Sequence, residues 1–349
     1  MRAWLESEWQ RRGGGALIFL PLALVFSLAT RLRRALYRFG ILPAWKAPVP
    51  VVVVGNITVG GTGKTPLVIA MVELLRARGW NPGVVSRGYG RVPSTEHDPS
   101  GVVRVFPDAP TPELFGDEPV LIARRAQVAV FISPDRPAAA RALLATHPDI
   151  DVIVADDGLQ HYALARDVEI AVVDAERGFG NGLPLPSGPL REPVSRLAEV
   201  DATVVNGGNS DRIPSRQFPM RLAGEAFVSL LGEAMTPADF ALAARGRNVY
   251  AFAGIGHPER FFSHLERLGV QARPRAFPDH HRYQSSDFKL PGAELVVMTE
   301  KDAVKCAAFA DARLWYLRVE AILPPEFGDF LQQRLETARA AKAHGPEAP

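Results

Sequence analysis

A glycine-rich segment with a single lysine constrains the fold of this chain more than any other feature. The segment Gly60-Gly61-Thr62-Gly63-Lys64-Thr65 follows Val51–Val54, an apolar run typical of a strand buried on both faces of a parallel sheet. Apolar residues at helical spacing then continue from 65 to 78. A strand, a glycine-rich turn and a helix in this order bind phosphate, because backbone N–H groups and the helix N-terminus both face the anion. The segment predicts a nucleotide-binding α/β domain.

The last two residues of this loop carry the predicted chemistry. We expect Lys64 to reach the β- and γ-phosphates of ATP and to act in catalysis, and Thr65 to ligate Mg²⁺. The full motif has glycine where this chain has Thr58, and one class of ATPases has an extra lysine where this chain has Val59. The valine argues against that class. Lys64 is the only lysine between residues 47 and 288, in a chain of 6 lysines and 34 arginines.

Two adjacent acids, Asp156 and Asp157, follow an apolar stretch over 151–155. The carboxyl ends of parallel strands lie at the same edge of a sheet as a phosphate loop. A carboxylate there can hold Mg²⁺ directly or through water. Successive residues of an extended chain point in opposite directions, so we expect different roles for the two acids.

Other charged motifs allow a functional and an ordinary structural interpretation. Asp117, in FGDEP, is a general base or only a helix cap. In FPDHH, His280 or His281 is its acid–base partner or part of a polar loop. Arg87 of SRGYG could hold an anionic substrate or lie in a surface turn, and Arg191 and Glu192 form one more charged pair of this kind, whereas a lone histidine such as His161 is usually structural.

The order of predicted elements indicates a parallel α/β sheet followed by a second, smaller α/β domain. Strands are predicted at 83–85, 102–105, 128–132, 151–155, 169–173 and 202–205, with helices at 117–125 and 135–145. A second series of strands and helices begins at 249. We therefore predict an N-terminal helix and linker at 1–45, a P-loop domain at 46–240 and a C-terminal domain at 241–349. From about 337 the chain is expected to fray.

Residues 16–30 form a run of fifteen positions without charge, followed by Arg31, Arg33, Arg34 and Arg38. Three interpretations stay open: a membrane anchor that spans or lies on the bilayer, a buried core helix, and a signal peptide. We favour the anchor, with arginines at anionic headgroups. The net charge of +2 gives no support for nucleic-acid binding, and one cysteine fits a reducing compartment.

Eight segments occur in the order found in one family. They are VGGTGKTP, SRGYG, GDEP, ADDGLQH, GPLREP, FAGIG, FPDHH and TEKDAVK. In this set and order the chain resembles the tetraacyldisaccharide 4′-kinases, which are the lipid A 4′-kinases. The resemblance implies a P-loop kinase domain, a smaller C-terminal α/β domain and an N-terminal membrane-associated helix. It also implies transfer of phosphate from ATP to the 4′-hydroxyl of a tetraacyldisaccharide 1-phosphate, giving lipid IVA.

The same resemblance implies residue roles and a location. Asp117 resembles the family's catalytic base and His280, which we favour over His281, its partner, while Asp156 and Asp157 resemble the acids that organise Mg²⁺. Arg87 and Tyr89 resemble residues on the substrate side, and His161, Arg191 and Glu192 fall in family motifs near the site, so all five are candidates for binding the substrate. The implied partners are the lipid A disaccharide precursor and the cytoplasmic face of the bacterial inner membrane, with no obligate protein partner. We expect a cleft between the domains to close and exclude water. A membrane-recruited P-loop ATPase switch and an ATP-gated module that binds anionic lipid are the alternatives.

Overall fold

The computed structural model describes residues 8–9, 14–89, 101–107 and 112–343. Its strands are β1 (Val51–Gly55), β2 (Pro82–Ser86), β3 (Val103–Val105), β4 (Val130–Ile132), β5 (Val152–Ala155), β6 (Val168–Asp174), β7 (Ala202–Asn206), β8 (Gln217–Ser229), β9 (Ala234–Met235), β10 (Val249–Ala253), β11 (Arg273–Ala276), β12 (Leu295–Thr299) and β13 (Leu314–Ile322). Its helices are α1 (Leu20–Arg38), α2 (Lys64–Ala77), α3 (Pro112–Phe115), α4 (Asp117–Ala126), α5 (Arg136–Thr146), α6 (Pro237–Ala243), α7 (Pro258–Arg267), α8 (Glu300–Cys306) and α9 (Pro325–Ala343). These elements confirm the predicted α/β class.

The chain packs into two compact units, each built from separate stretches of sequence. Unit 1 contains residues 1–87, 133–221 and 322–349, and unit 2 contains residues 88–132 and 222–321. Strand β8 begins in unit 1 and ends in unit 2. This grouping by contacts differs from the domain boundaries read from the sequence, which stay a prediction.

Unit 1 is built on a parallel sheet with strand order β8-β7-β6-β1-β5-β2. Every residue of β1 is buried, because β5 and β6 flank it and helices cover its faces. This burial accounts for the unbroken apolar run at Val51–Val54. The strand therefore delivers the glycine-rich loop at the carboxyl edge of the sheet.

Helix α9 returns the C-terminal part of the chain to unit 1. Phe327 is fully buried and packs edge-on against Phe218 of β8, with ring centroids 5.2 Å apart. The Trp80 indole Nε1 donates a hydrogen bond to Gln332, at 2.8 Å. These contacts hold the helix, which continues to Ala343. The expectation that the chain frays from about 337 was wrong for residues up to 343, since polar and small residues there still complete a helix.

Unit 2 contains a second parallel sheet, in which β10 pairs with β11 and β12, and β12 pairs with β13. Its largest apolar cluster includes Phe227 and Phe240, whose rings stack with centroids 4.0 Å apart. The stretch 88–132 adds the antiparallel pair β3–β4 and helix α4, which packs against α8. Unit 2 therefore contains both α4, which begins at Asp117, and the loop after β11, which carries His280.

The N-terminal helix is long and apolar enough, over Gly14–Arg38, to cross a membrane by length and composition. Its large apolar side chains face outward, as at Leu24, 61% exposed, and Leu28, 69% exposed. This exposure contradicts the buried-core interpretation of residues 16–30, because a core helix hides such side chains. At its C-terminal end, Arg33 donates to the Gln160 carbonyl at 2.9 Å, which attaches the helix to unit 1.

Candidate active site

The glycine-rich loop connects β1 to α2 in unit 1. Gly63 precedes α2 with φ +95°, a left-handed conformation that glycine adopts without strain. A Cβ atom there would also lie 3.0 Å from the Met220 side chain. The left-handed conformation is the main reason for glycine at this position, since the end of the Met220 side chain could shift, and α2 begins at the next residue, Lys64.

Lys64 points back across the loop. Its Nζ lies 3.2 Å from Asn56 Oδ1 and 3.5 Å from Asp157 Oδ1. The Asn56 amide also donates to the Gly60 carbonyl, at 3.4 Å. Asn56 is a site residue that sequence reasoning missed, although its place directly after β1 is the signal that could have found it. These contacts give the lysine a defined position beside an acid.

The two predicted acids point to different partners. Asp156 is 1% exposed and accepts a hydrogen bond from Ser86 Oγ at 3.0 Å. Asp157 faces the loop and forms a second ion pair with Arg191, Nη1 to Oδ2 at 3.2 Å. Burial would raise the pKa of Asp157, but the charges of Lys64 and Arg191 hold that pKa well below its usual range. Asp157 is therefore a carboxylate at neutral pH.

The donor set at this edge fits Mg²⁺. Two carboxylates and the Thr65 hydroxyl supply hard oxygen atoms, and Asp157 lies beside the lysine of the phosphate loop. Within the described ranges no group of three or more His, Cys, Asp or Glu side chains could hold a metal by itself. Mg²⁺ ordinarily uses one or two carboxylates together with substrate phosphates and water, so the residues present suit a metal that arrives with ATP.

Glu192, buried at 5% exposure, lies in the same unit as the loop. The Gln160 amide Nε2 donates both to Glu192 Oε2, at 2.9 Å, and to the Asn56 carbonyl, at 3.2 Å. Tyr162 donates its hydroxyl hydrogen to the other oxygen of Glu192. The structure thus connects Glu192 to the phosphate loop through Gln160, a residue that sequence analysis did not single out.

His161 and Arg87 lie near the same edge, close enough for the charge of Arg87 to act on the imidazole. Burial, with the nearby charges of Arg136 and Arg87, lowers the pKa of His161 to about 3. The imidazole is therefore neutral at physiological pH. Arg87 is exposed and follows β2 directly.

Unit 2 holds the other candidates. Asp117 starts α4 and is 5% exposed, and its Oδ1 and Oδ2 lie 3.2 and 3.0 Å from His280 Nδ1. His281 instead faces Asp287, Nε2 to Oδ2 at 3.1 Å. The structure brings His280, and not His281, to Asp117. Tyr89 contacts the pair with its ring centroid 5.2 Å from that of His280, while Gly90 of the same motif lies outside the described residues.

The environment of this pair sets its protonation. Burial acts to raise the pKa of Asp117. The hydrogen bond from His280 and the charge of Lys301 outweigh burial and lower this pKa to about 2. The same hydrogen bond raises the pKa of His280. Lys301 was not predicted as a site residue, and the segment TEKDAVK was the available signal. Thr299 of that segment caps α8, its Oγ1 accepting from the Asp302 N–H at 3.2 Å.

A phosphate loop at the carboxyl edge of a parallel sheet, with acids on the adjoining strand, defines an α/β nucleotide-binding protein of the P-loop type. The model of one family, described as tetraacyldisaccharide-1-P 4′-kinase, matches residues 15–336. The chain therefore belongs to the tetraacyldisaccharide-1-P 4′-kinase family.

Individual relatives are similar over nearly their whole length. The tetraacyldisaccharide 4′-kinase of Azoarcus sp. (strain BH72) is 48% identical over 336 residues, covering 95% of this chain and 96% of the relative. The enzyme of the same name from Pseudomonas aeruginosa (strain LESB58) is 46% identical over 332 residues, covering 95% and 97%. The crystal structure of LpxK from Aquifex aeolicus in complex with ATP has a TM-score of 0.77 and 28% identity, covering 92% of this chain and 99% of that one.

Proposed function

We propose that this chain is an ATP-dependent kinase that phosphorylates the 4′-hydroxyl of a tetraacyldisaccharide 1-phosphate to give lipid IVA, a step of lipid A biosynthesis. The observation that carries the proposal is the family match over residues 15–336. This range includes the phosphate loop, the pair Asp156–Asp157 and Asp117. Relatives bearing the name of this kinase are 48% identical to the chain.

In the proposed reaction the phosphate loop positions ATP. Backbone N–H groups of the loop bind the phosphates, and Lys64 exchanges Asn56 and Asp157 for the β- and γ-phosphates. Mg²⁺, held by Thr65, Asp156 and Asp157, would neutralise charge on the phosphates. Positioning and charge neutralisation supply most of the rate, because the transition state of phosphoryl transfer is loose.

Asp117 acts as the general base. It is a carboxylate throughout the neutral range, and it accepts the proton of the 4′-hydroxyl as that oxygen bonds to the γ-phosphorus of ATP and the bond from the γ-phosphorus to the leaving ADP breaks. His280 donates its Nδ1–H to Asp117 and so fixes the carboxylate in place. We assign Arg87, Tyr89, His161, Arg191 and Glu192 to the substrate side of the site.

The N-terminal helix places the enzyme where its acceptor is. We propose that the exposed apolar side chains of α1 enter the bilayer at the cytoplasmic face of the bacterial inner membrane. Arginines at the end of the helix, such as Arg31 and Arg38, would then lie at the level of anionic headgroups.

A transfer assay tests the proposed function. The protein is incubated with γ-labelled ATP, Mg²⁺ and the tetraacyldisaccharide 1-phosphate in mixed micelles, and the label is followed into lipid and into free phosphate. Label in lipid supports the kinase. Label only in free phosphate would indicate an ATPase switch, and no movement of label would indicate an ATP-gated binding module. Lys64→Ala is the control, in which transfer is expected to fall at least about 100-fold.

A further inference from the structure

Lys301 is the residue of α8 whose ammonium group forms ion pairs with the carboxylates around the acid–base pair of unit 2. Its Nζ lies 3.1 Å from Glu118 Oε1, 3.6 Å from Asp279 Oδ1 and 3.7 Å from Asp117 Oδ2. Three carboxylates from two other segments therefore surround one ammonium group, whose side chain is 19% exposed.

The lysine gains nothing from its own helix. A cation in the first turn of a helix meets the positive end of the helix dipole, which disfavours it. The acids beside it in the sequence have other partners, since Glu300 pairs with Arg125 at 2.8 Å and Asp302 pairs with Lys305 at 2.7 Å. The position of Lys301 is thus explained by the groups of α4 and the loop after β11, and not by helix stability.

The second lysine of α8 does not serve the same purpose. Lys305 lies one turn further on, on the same face of the helix, and lines the cleft that contains Asp117 and His280. However, its ammonium group forms an ion pair with the fully buried Asp302. Lys301 is therefore the cation that balances the cluster of carboxylates.

We propose that Lys301 is a positioning residue for the base, which holds Asp117 in its ionised form and hydrogen-bonded to His280. The inference rests on the proposed kinase function, because it assumes that Asp117 receives the proton of the acceptor hydroxyl. Lys301 itself touches no reacting atom.

The electrostatics of the cluster support this role. Asp117 is buried and lies close to two other acids, and both circumstances favour its protonated form. The opposing groups are His280, the ammonium group of Lys301 and, with the smallest effect, that of Lys305. The charged and titratable groups facing the carboxylate from α4, α8 and the loop after β11 are Glu118, Lys301, Lys305, Asp279, His280 and Arg282. Without Lys301, the pKa values of Asp117 and His280 both rise, so His280 stays charged up to a higher pH, where its charge competes with the acceptor proton for Asp117.

The test compares kcat/KM for acceptor phosphorylation between pH 5.5 and 9 in the wild type, Lys301→Met and Lys301→Arg. We attribute the acid limb in this range to His280, because Asp117 itself stays ionised throughout it and the charged ring of His280 competes with the acceptor proton for Asp117. In Lys301→Met we expect a loss of about tenfold at pH 6 that shrinks above pH 8, with this limb moved up by about one pH unit. KM for ATP should change less than about twofold. Lys301→Arg keeps the charge and should restore most of the activity. Lys289→Met, an exposed lysine of the same unit, is the matched control.

A loss in Lys301→Met that is equal at all pH values would overturn the proposal, because a merely structural role does not depend on the ionisation of the Asp117–His280 pair. If Lys301→Met fails to fold, the double variant Lys301→Met/Glu118→Gln removes one charge of each sign and keeps the cluster balanced. The double variant still lacks the ammonium group. Its acid limb should also move to higher pH, by less than in Lys301→Met.

An NMR titration separates this inference from the proposed function. The imidazole carbon Cε1 of His280 reports the pKa of that residue without any acceptor. The nearby charge of Lys301 lowers the pKa of His280, so Lys301→Met should raise it. An unchanged titration of His280 would refute the role of Lys301 whatever the transfer assay gives. A raised pKa in a protein that phosphorylates no lipid would refute the kinase function alone.

Discussion

Asp117, which is buried, and Asp157, which is half-buried, are carboxyl groups of different units, and each has cations that offset its loss of hydration. Lys64 and Arg191 neighbour Asp157, and His280 and Lys301 neighbour Asp117. Burial of an unpaired carboxylate costs several kcal/mol, so such groups persist where charge and hydrogen bonds compensate them. The two acids are ionised at neutral pH for the same physical reason, although their proposed tasks differ.

Asp117→Asn tests the base at the residue scale. The amide keeps the size of the side chain but cannot accept the proton, so kcat for lipid phosphorylation should fall by about 10²- to 10⁴-fold, with KM for ATP nearly unchanged. Steady-state assays with varied ATP measure both constants. Asp211→Asn, at an exposed position, is the control. Full turnover in Asp117→Asn would remove Asp117 from the mechanism.

At this scale, the sequence was informative where the relevant residues are neighbours in the chain. The segment from Gly60 to Thr65 and the pair Asp156–Asp157 follow directly from a strand and a turn. Lys301 did not follow, because it meets Glu118 across 183 positions of sequence and nothing in the local pattern records that pairing. Distant pairings of this kind depend on the finished fold.

Helix α1 carries the exposed apolar side chains of the N-terminal segment, and its properties belong to the element as a whole. The run of uncharged residues at 16–30 predicted an apolar helix, but could not distinguish a core helix from an outward-facing one. That distinction depends on what the rest of the chain covers, and the structure leaves Leu24 and Leu28 exposed.

Leu24→Glu/Leu28→Glu tests the membrane role of this helix. Each leucine that enters a bilayer contributes about 1.5–3 kcal/mol, so the double variant should bind vesicles containing anionic phospholipid at least about 100-fold more weakly. Co-sedimentation with such vesicles measures the change, and thermal unfolding should be unaltered because both positions are exposed. Leu242→Glu, at a residue 64% exposed in unit 2, is the matched control. Equal sedimentation of the double variant and the wild type would argue against insertion of α1.

The stability of the whole molecule depends on pH, because several groups have different pKa values in the folded and the unfolded chain. The pKa of His161 falls to about 3 and that of Asp117 to about 2 in the folded chain. Below their ordinary pKa values the unfolded chain takes up protons that the folded chain excludes, so acid weakens the fold. His280, whose pKa is raised, acts in the opposite direction and stabilises the fold at lower pH.

We expect the free energy of unfolding to decrease as the pH falls from about 6.5 to about 4, mainly because of His161, and to decrease again below about 4 as Asp117 is protonated on unfolding. His161→Gln should remove about 1–2 kcal/mol of the loss between pH 7 and pH 4, after allowance for the partial exposure of the ring. Denaturant titrations at pH 7.5, 5.5 and 4.5 measure this, with His147→Gln as a control in the same unit. Identical pH dependence in wild type and His161→Gln would refute the assignment.

The division of the chain into units was the least accessible property at the whole-molecule scale. Strand and helix patterns predicted the α/β class. They also predicted that a second series of strands and helices begins at 249, which is the first residue of β10. Residues 88–132 pack with the later part of the chain, an arrangement that alternation of strands and helices does not encode.

The return of α9 to unit 1 has a consequence for how the protein is made. Phe218 and Trp80 receive their partners Phe327 and Gln332 only when the last helix has been synthesised. A nascent chain that has left the ribosome up to residue 320 already contains the phosphate loop, yet its first unit lacks one of its covering helices and shows apolar surface to the cytosol. Completion of unit 1 therefore waits for the end of translation, whereas a chain built from consecutive domains can finish its first domain earlier.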